Sequence, residues 1–389
     1  MSAMTKDKLR VKKMLFFYLP HSTKSDNSTK QIVEKTLKCD PFNFEVVGSL
    51  AAIEDAVVAH VIEPIVLVWS STFMSSKFFS SIKYKILLNH FPRSVEVGHK
   101  LHLYRNLRNI SADFFPISFS SLMNWRDYIF VEEKIKTEGQ PRPKYWITKP
   151  SRGGGGRRIQ VWSTASLIQA YAQSNVDEKV VVQAYISNPL LIEGTRRKFD
   201  IRAYVLVLKN HEVYFYDEGL LRLASKPFSM HSEQLGDPYV HVTNNSVNKR
   251  NSIKHGAIEN LLWSEWNSKN GKEVWKSTIM PQLKHIAKVT FGQCLLKNAD
   301  VIREIQRYKD IADSFELFGM DCIVDENFKV WLLEVNHMPE IETSDAARAD
   351  RKMNDQLMID MFNLALGVSS IEDYRTSTAS KRNIFCKLE

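Results

Sequence analysis

The sequence contains little cysteine: four residues in a chain of 389. They stand far apart, at Cys39, Cys294, Cys322 and Cys386, and form no CxxC pair. A disulfide framework or a zinc site is therefore not expected, and a reducing compartment is favoured. The chain also lacks an uncharged apolar run of the roughly 18 residues that a membrane helix needs. Its basic N-terminus has no apolar stretch of the signal-peptide kind. These absences predict a soluble, cytoplasmic protein.

Positive charge, by contrast, is in excess: the chain has 53 Lys+Arg against 44 Asp+Glu and a formal net charge of +9. A hydrophobic content of 44% and a charged content of 25% exclude general disorder. The positive charge calls for an acidic partner: nucleic acid, an anionic membrane surface or an acidic protein. At roughly 150 residues per domain, the length predicts two or three lobes.

The first part of the chain alternates between short apolar runs and helical stretches. Strands are predicted at residues 14–18, 46–47 and 65–69, and helices at 31–37 and 100–109. This alternation is typical of a small α/β lobe.

The second part is richer in strands, and residues from about Thr376 onward look like a loose polar tail. A polar loop is predicted at residues 136–144. The predicted strands are 145–148, 180–186, 198–207 and 213–216, followed by a hairpin of 317–324 with 330–335.

One strand carries charges on a single face. Side chains alternate along a strand, so Lys198, Asp200 and Arg202 share one face while Phe199 and Ile201 share the other. Charged groups do not belong in a dry core. The face is therefore either the solvated side of an edge strand or part of a functional site.

The hairpin near the C-terminus adds oxygen ligands. Glu334 and Asn336 lie two residues apart and project to the same face. A hairpin loop with an even number of residues would place Asp321 of the preceding strand on that face, and an odd loop would turn Asp321 away. Three converging oxygens suit Mg²⁺. The alternative is a set of carboxylates on an exposed hairpin.

A glycine run follows the strand that ends at Lys149. Residues 153–156 are all glycine, and such a run exposes backbone N–H groups that, with a lysine, can hold phosphates. It is not a Walker A loop, because no Gly-Lys-Ser/Thr opens a helix. Taken alone, the glycine run indicates a flexible loop. Because the same chain also has the charged strand and the acidic hairpin, we favour phosphate binding by this loop.

Taken together, these motifs resemble those of the tubulin tyrosine ligase-like enzymes, a branch of the ATP-grasp superfamily. The resemblance runs from about Asn89 to Gly367. The motifs that carry it, in chain order, are Lys149 with its glycine loop and the stretches 182–186, 198–202 (Lys-Phe-Asp-Ile-Arg), 218–222, 241–244 and 333–336.

The resemblance implies an α/β (α+β) fold of the ATP-grasp type in which a central and a C-terminal lobe enclose ATP. The expected divisions are an N-terminal α/β lobe (1–99), a central lobe with the phosphate loop (100–188), a C-terminal catalytic lobe (189–367) and a basic polar tail (368–389).

It also implies the residues that bind the nucleotide and the metal. Those expected to contact ATP are Lys100, Lys149, Gly155, Gly156, Gln183, Tyr185, Ile186, Lys198, Asp200, Arg202, Thr243 and Asn244. Those expected to hold Mg²⁺ are Asp321, Glu334 and Asn336. Those expected to act in catalysis are Lys198, Arg202 and Arg222.

One position departs from the family pattern. Arg158 stands where the last glycine of the phosphate loop is usual, and a side chain cannot cheaply follow a glycine-only backbone path. We therefore expect the loop to take an ordinary conformation, with Arg158 as an additional phosphate-binding cation.

The activity that the resemblance implies is the ATP-dependent joining of an amino acid to a protein carboxylate through an acyl phosphate. Residues 89–101 and 335–360 are closer to glutamylases than to tyrosine ligases or glycylases, so the favoured reading is a tubulin polyglutamylase that uses free glutamate. A non-catalytic microtubule-binding adaptor remains the alternative from another class.

The net charge of +9 then matches the acidic C-terminal tails of tubulin. Neither a nucleic acid nor a membrane is expected as a partner; accessory subunits are possible. The expected location is the cytoplasm and cytoskeleton, including a cilium, flagellum or basal body.

Overall fold

A computed structural model describes most of the chain, and its strands form three sheets. The described residues are 14–19, 25–38, 44–59, 65–70, 76–134, 143–151, 153, 155–173, 180–208, 210–248, 260–270, 272–337, 339, 341, 349–367 and 385–389. Among these residues, no helix is both long and apolar enough to cross a membrane.

The first sheet belongs to the N-terminal lobe, and all its strand pairs are parallel. Its strands, in spatial order, are β14 (Ala312–Ser314), β4 (Ile86–Leu88), β3 (Ile65–Ser70), β1 (Met14–Leu19) and β2 (Phe44–Val47). The helices between them are α1 (Ser25–Leu37), α2 (Leu50–Ala59) and α3 (Ser76–Ser81). The predicted strands of this lobe are confirmed. Its edge strand β14, however, comes from far along the chain and was not foreseen.

The second sheet forms the central lobe and is antiparallel. Its strands, in spatial order, are β5 (Ser118–Phe119), β8 (Val180–Ala184), β6 (Tyr145–Pro150) and β7 (Gln160–Ser163). The helices that cover it are α6 (Leu122–Lys134) and α7 (Thr164–Ala172). The two helices that precede it in the chain, α4 (Val95–Gly98) and α5 (Lys100–Asn109), pack instead into the core of the third sheet. Trp125 and Trp146 are fully buried between α6 and one face of this sheet. The other face, with Lys149 and Gln183, is left for the cleft described below.

The third sheet dominates the C-terminal lobe. Its strands are β9 (Leu191–Ile192), β10 (Arg197–Val207), β11 (Val213–Tyr216), β12 (Leu220–Pro227), β13 (Asn260–Leu262), β15 (Glu316–Val324), β16 (Val330–His337) and β17 (Phe385–Lys387). The α-helices around it are α8 (Pro238–His241), α9 (Trp263–Asn270), α10 (Lys272–Val274), α11 (Met280–Val289), α12 (Ala299–Tyr308) and α13 (Ala349–Leu366). Other helical turns include a 3₁₀ helix (Ser232–Gln234), a turn at residues 245–248 and two π-helical segments (Trp275–Ile279 and Thr290–Leu296).

Strand β10 organises this lobe because it pairs with β9, β11, β12 and β15. One of its faces, with Phe199 and Ile201, packs into the large core that also contains residues of α11. Its other face becomes apolar at Tyr204 and Leu206, which share a core with Met361 of α13. The charged half of that face lies beyond this core and is left for the cleft.

The end of the chain differs from the expected loose tail. Strand β17 pairs with β11, and Phe385 is 1% exposed. Residues 368–384, which include the rest of the predicted tail, lie outside the described residues, as does most of the loop predicted at 136–144.

Asp360 of α13 makes the stability of this lobe depend on pH. It accepts hydrogen bonds from Tyr216 Oη at 3.1 Å and Gln356 Nε2 at 2.6 Å, and burial raises its pKa to about 7. Between the ordinary carboxyl pKa and pH 7, the folded state binds more protons than the unfolded state, so stability falls as pH rises through this window. We expect Asp360→Asn to remove that dependence and to be the more stable protein at pH 8, by on the order of 2–4 kcal/mol. Urea unfolding of both proteins at pH 5.5 and 8 measures it; equal pH dependence would contradict it.

Candidate active site

A narrow cleft lies where the central sheet faces the C-terminal sheet. Its volume is about 60 Å³, below the roughly 300–1,000 Å³ of typical ligand pockets, so the cleft is nearly closed in this conformation. The predicted site residues that line it are Lys149, Gln183, Tyr185, Ile186, Lys198, Asp200, Thr243, Asn244, Asp321 and Glu334. Apolar lining residues to which sequence reasoning assigned no role are Ile147, Ile159, Val242, Ile323 and Leu333. The structure thus brings most of the predicted residues to one place.

The charged face of β10 is not a solvated edge. Lys198, Asp200 and Arg202 are 5%, 3% and 8% exposed, and β10 has neighbours on both sides. Buried charges persist only when they are paired or hydrogen-bonded. The solvated-edge interpretation is therefore wrong, and the question becomes what pairs with these groups.

Two carboxylates and two guanidinium groups form a buried network. Arg222 donates to Asp200 at 2.8 and 2.5 Å and lies 2.9 Å from an oxygen of Asp321. Arg202 donates two hydrogen bonds to the carboxylate of Asp321, at 2.6 and 3.1 Å. Thr243 adds a hydrogen bond to Asp200 at 2.8 Å. Paired donors of this kind give strong and directional binding.

The network shifts the pKa values of Asp321 and Arg222. Burial alone would raise the pKa of Asp321, but Arg202 and Arg222 hold that pKa well below its usual range. Burial would likewise lower the pKa of Arg222, yet Asp200 and Asp321 raise it. Asp321 and Arg222 are therefore charged at neutral pH.

Strand register creates this arrangement. In the β10–β12 pair Asp200 lies opposite Arg222, and in the β10–β15 pair Arg202 lies opposite Asp321. Gly319 of β15 gives Arg202 room, since a Cβ there would lie 3.0 Å from Arg202 Cδ. Sequence reasoning missed this glycine; its only signal was its position two residues before Asp321, on the same face.

The hairpin of β15 and β16 places Asp321 opposite Glu334, but not by the expected route. Val324 pairs with Val330, so the loop has an odd number of residues, 325–329. An irregularity in register between Asp321 and Cys322 then corrects the phase. This bulge accommodates one extra residue on β16. As a result Leu332 lies opposite Cys322 instead of sharing the face of Glu334, while Asn336 lies opposite Gly319.

The hairpin oxygens suit a hard cation. Asn336 Nδ2 donates to Asp321 at 3.0 Å, which leaves its amide oxygen to point elsewhere. Glu334 lies 3.5 Å from Lys100 Nζ, and among the described residues Asp321 Oδ1 accepts only from Arg202. Two carboxylates and an amide are the oxygen donors that Mg²⁺ prefers. With only two acidic members this set is small, and no group of three or more His, Cys, Asp and Glu able to hold a metal occurs in the described part of the chain.

Lys149 faces the cleft from the central sheet. It is 7% exposed and donates to Gln183 Oε1 at 2.8 Å, while Gln183 donates to Ser118 at 3.0 Å. Burial lowers the pKa of Lys149 to about 8. Lys149 is thus available to gain charge when an anion enters.

Lys198 faces the cleft from the opposite side. It donates to Tyr185 Oη at 3.0 Å and to the backbone oxygen of His241 at 2.9 Å, and burial lowers its pKa to about 7. His241 Nε2 lies 3.0 Å from the carbonyl of Gln234, which assigns the proton to Nε2 and leaves Nδ1 to accept from Tyr185 at 2.8 Å. Burial, with Lys198 nearby, lowers the pKa of His241 to about 4. Sequence reasoning assigned no role to His241, although it opens the stretch 241–244.

The glycine loop that is predicted to bind phosphate lies beside the cleft, since a Cβ on Gly156 would lie 3.2 Å from the lining residue Asn244. Lys100, the first residue of α5, donates to the carbonyl of Gly153 at 3.0 Å, and Ser246 donates to that of Gly155 at 2.8 Å. A Cβ on Gly156 would lie 2.6 Å from Val247, so only glycine fits there. These contacts hold the loop against α5 and against the segment that carries Ser246.

Arg158 contradicts the expected loop conformation. Its φ is +58°, so the chain keeps the left-handed path that a glycine would follow and tolerates the strain of a side chain there. Arg158 also lies outside the described lining of the cleft. Its expected role as an additional phosphate cation is therefore not supported by its position.

Two sheets that meet at a cleft, each contributing one buried lysine and one of them also an acidic hairpin, define an ATP-grasp-like α/β protein. Comparison of the sequence with known families narrows the class: the profile of the Tubulin-tyrosine ligase family matches residues 80–374. The chain belongs to the tubulin-tyrosine ligase family.

Curated relatives are similar at about 30% identity. Tubulin monoglutamylase TTLL4 of Homo sapiens is 31% identical over 323 residues, which cover 79% of this chain and 26% of that protein. Tubulin polyglutamylase TTLL5 of Homo sapiens is 28% identical over 347 residues, which cover 82% of this chain and 26% of that protein. Tubulin polyglutamylase TTLL6 of Homo sapiens is 28% identical over 323 residues, which cover 76% of this chain and 33% of that protein. The chain thus spans about a quarter to a third of the length of these relatives.

Proposed function

We propose that the protein is an ATP-dependent ligase that adds glutamate to carboxylate side chains of tubulin through an acyl-phosphate intermediate. The observation that carries the proposal is the cleft itself, which is lined by Lys149 of the central sheet and by Lys198, Asp321 and Glu334 of the third sheet. Two cations for polyphosphate and two carboxylates for a cation are what phosphoryl transfer needs. The similarity to enzymes named tubulin glutamylases supports the choice of substrate.

The residues of the chain account for each step. An acceptor carboxylate oxygen attacks the γ-phosphorus of ATP, and the bond to ADP breaks; Lys149 and Lys198 stabilise the charge on the phosphate oxygens. The amine of the incoming glutamate then attacks the acyl carbon, phosphate leaves with its oxygen, and a proton passes to water. Asp321, Glu334 and Asn336 would hold Mg²⁺, which when bound neutralises phosphate charge. Gln183, Tyr185 and Ile186 would surround the adenine.

Arg202 and Arg222 do not have the role of binding the substrate directly. Arg222 and Arg202 are already bonded to Asp200 and Asp321, so their charge is largely compensated within the protein. We propose that they position these carboxylates and Thr243, while Lys198 supplies the net positive charge that an anionic acceptor and an anionic amino acid need.

Nucleotide binding should take up protons. In the free protein, burial leaves Lys198 with a pKa of about 7 and Lys149 with a pKa of about 8. At pH 8, therefore, Lys198 is mostly neutral and Lys149 is half neutral. A polyphosphate favours their charged forms, so affinity should fall as pH rises from 7 to 9. At pH 8 we expect uptake of about one proton per nucleotide. Calorimetric titration in buffers of different ionisation enthalpy measures it. Lys198→Arg, which stays charged, should reduce the uptake, and a wild-type heat that is independent of buffer would refute the prediction.

The choice of amino acid is tested directly. Incubation of the protein with ATP, tubulin and labelled glutamate, tyrosine or glycine should give incorporation of glutamate alone. Incorporation of tyrosine or glycine would assign one of the other activities of the family. No incorporation, together with intact binding to microtubules, would favour a non-catalytic adaptor.

The proposed partners follow from the same chemistry. The acidic C-terminal tails of tubulin complement the net charge of +9, and accessory subunits remain part of the proposal. The proposed location is the cytoplasm and cytoskeleton, with cilium, flagellum or basal body as sites of action. Neither nucleic acid nor a membrane is proposed as a partner.

A further inference from the structure

A second cavity lies directly behind the phosphate loop. This back crevice is bounded by Arg157, Arg158 and Trp162 on the side of the central lobe and by Pro238 and Tyr239 of α8 on the other, and its volume is about 580 Å³. It is thus wider than the cleft, and its size suits several residues of an extended chain.

The floor of the back crevice is the opposite face of the central sheet. Thr148 of β6 pairs with Gln160 of β7, and both line the crevice, whereas Lys149 points to the cleft on the other face. Helices α6 and α7 cover this face further along, at Trp146. Strand β7 is the edge strand of the sheet as the structure describes it.

The described residues that line the back crevice carry formal charge of one sign. Arg157 and Arg158 are exposed and line it, and no acidic residue is among the described residues that do so. Asp237, which precedes the lining residue Pro238, is occupied: it accepts from the backbone N–H of Tyr239 and forms an ion pair with Lys226 at 2.7 Å. Among the described residues that line the crevice, the two arginines therefore carry the formal charge.

The back crevice and the cleft are separated by the thickness of one loop. Gly156 lines the crevice, and an added Cβ at Gly156 would lie 3.2 Å from Asn244, a residue of the cleft. A polypeptide held behind the loop can therefore extend to the cleft within a few residues, since an extended chain spans roughly 3.3–3.6 Å per residue.

We propose that the back crevice is a docking site for a run of acidic residues in the acceptor polypeptide. Carboxylates of the acidic run pair with Arg157 and Arg158, and its side-chain stems lie against Trp162 and Tyr239. Two cations are too few for a nucleic-acid surface, which typically uses about 6–10 phosphate contacts. Naming the acceptor rests on the proposed ligase function; the binding itself can be measured without turnover.

The test compares two double variants that change the net charge equally. Arg157→Gln with Arg158→Asn removes the crevice cations, and asparagine tolerates the positive φ at position 158. Lys288→Gln with Lys297→Gln removes two exposed cations of the C-terminal lobe, on α11 and after the second π-helical segment. The probe is a fluorescein-labelled oligoglutamate peptide, followed by anisotropy at low salt.

We expect the crevice variant to bind the peptide about tenfold more weakly and the control variant to bind it within about twofold of wild type. Affinity for MgATP and thermal stability should be unchanged in both. Equal losses in both variants, or none in either, would overturn the proposal. A parallel loss of MgATP affinity would assign the arginines to the nucleotide site instead, and tighter binding of a single-stranded RNA of the same length would favour a nucleic acid.

The outcome also separates this proposal from the proposed function. Peptide binding that depends on the crevice, without any glutamate incorporation by wild type, would remove the ligase assignment and leave the docking site. Glutamate incorporation with an unchanged acceptor KM in the crevice variant would leave the ligase and remove the docking site.

Discussion

Replacing Glu334 by Gln should lower the rate of ligation by on the order of a thousandfold while the fold is unaffected. Glu334 is partly exposed, and its one ion pair among the described residues is with Lys100 at 3.5 Å. The substitution keeps the shape of the side chain but removes the negative charge opposite Asp321. Because phosphoryl transfer depends on neutralising phosphate charge, the loss should appear in kcat at saturating ATP.

A matched control is available on the same hairpin. Glu326 lies in the turn and is exposed, where it accepts from Asn188 at 3.1 Å; Glu326→Gln should retain activity within about twofold. Both variants should unfold at the wild-type temperature. Full ligation by Glu334→Gln at limiting Mg²⁺ would show that this carboxylate takes no part in holding the metal.

Much of the site was accessible from local sequence pattern. The two-residue period of a strand is enough to place Lys198, Asp200 and Arg202 on one face, and it does not depend on distant residues. The short helix beginning at Lys100 is confirmed with the predicted limits. Such features are encoded within a few neighbouring residues.

What the pattern did not predict depends on register between distant segments. Asp321 lies opposite Glu334 only because a bulge compensates for the odd number of residues in the hairpin loop. The alternation of residue types along the strands does not indicate where that bulge lies. The pairing of Asp200 with Arg222 joins strands 22 residues apart along the chain. Strand β14 crosses to another lobe, and Arg158 adopts a backbone angle set by the loop around it. Tertiary packing decides each of these.

The buried network of Asp200, Arg222, Asp321 and Arg202 leads to the second large effect. Arg222→Met should reduce the free energy of unfolding by about 3–5 kcal/mol. The arginine is 5% exposed and bonded to both carboxylates. Its removal leaves two buried carboxylates with only one guanidinium group, and charges that have lost their partner inside a protein are strongly destabilising.

The same substitution at an exposed pair serves as the control. Arg303 forms an ion pair with Asp300 on α12, where the two side chains are 75% and 49% exposed. Arg303→Met should change stability by less than about 1 kcal/mol. If urea unfolding gave the same loss for both arginines, the buried network would not be what stabilises the C-terminal sheet.

A second substitution distinguishes lost charge pairing from lost packing. Adding Asp200→Asn to Arg222→Met leaves one aspartate and one arginine, so the buried charge is balanced again. If uncompensated charge is the cause, the double variant should be more stable than Arg222→Met alone, with a coupling energy of about 1–3 kcal/mol. If the cavity left by the guanidinium group were the cause, Asp200→Asn would only add to the loss, because it also weakens the hydrogen bond from Thr243. A positive coupling would establish that the charge pairing of Asp200 with Arg222 helps to hold β10 and β12 together at the cleft.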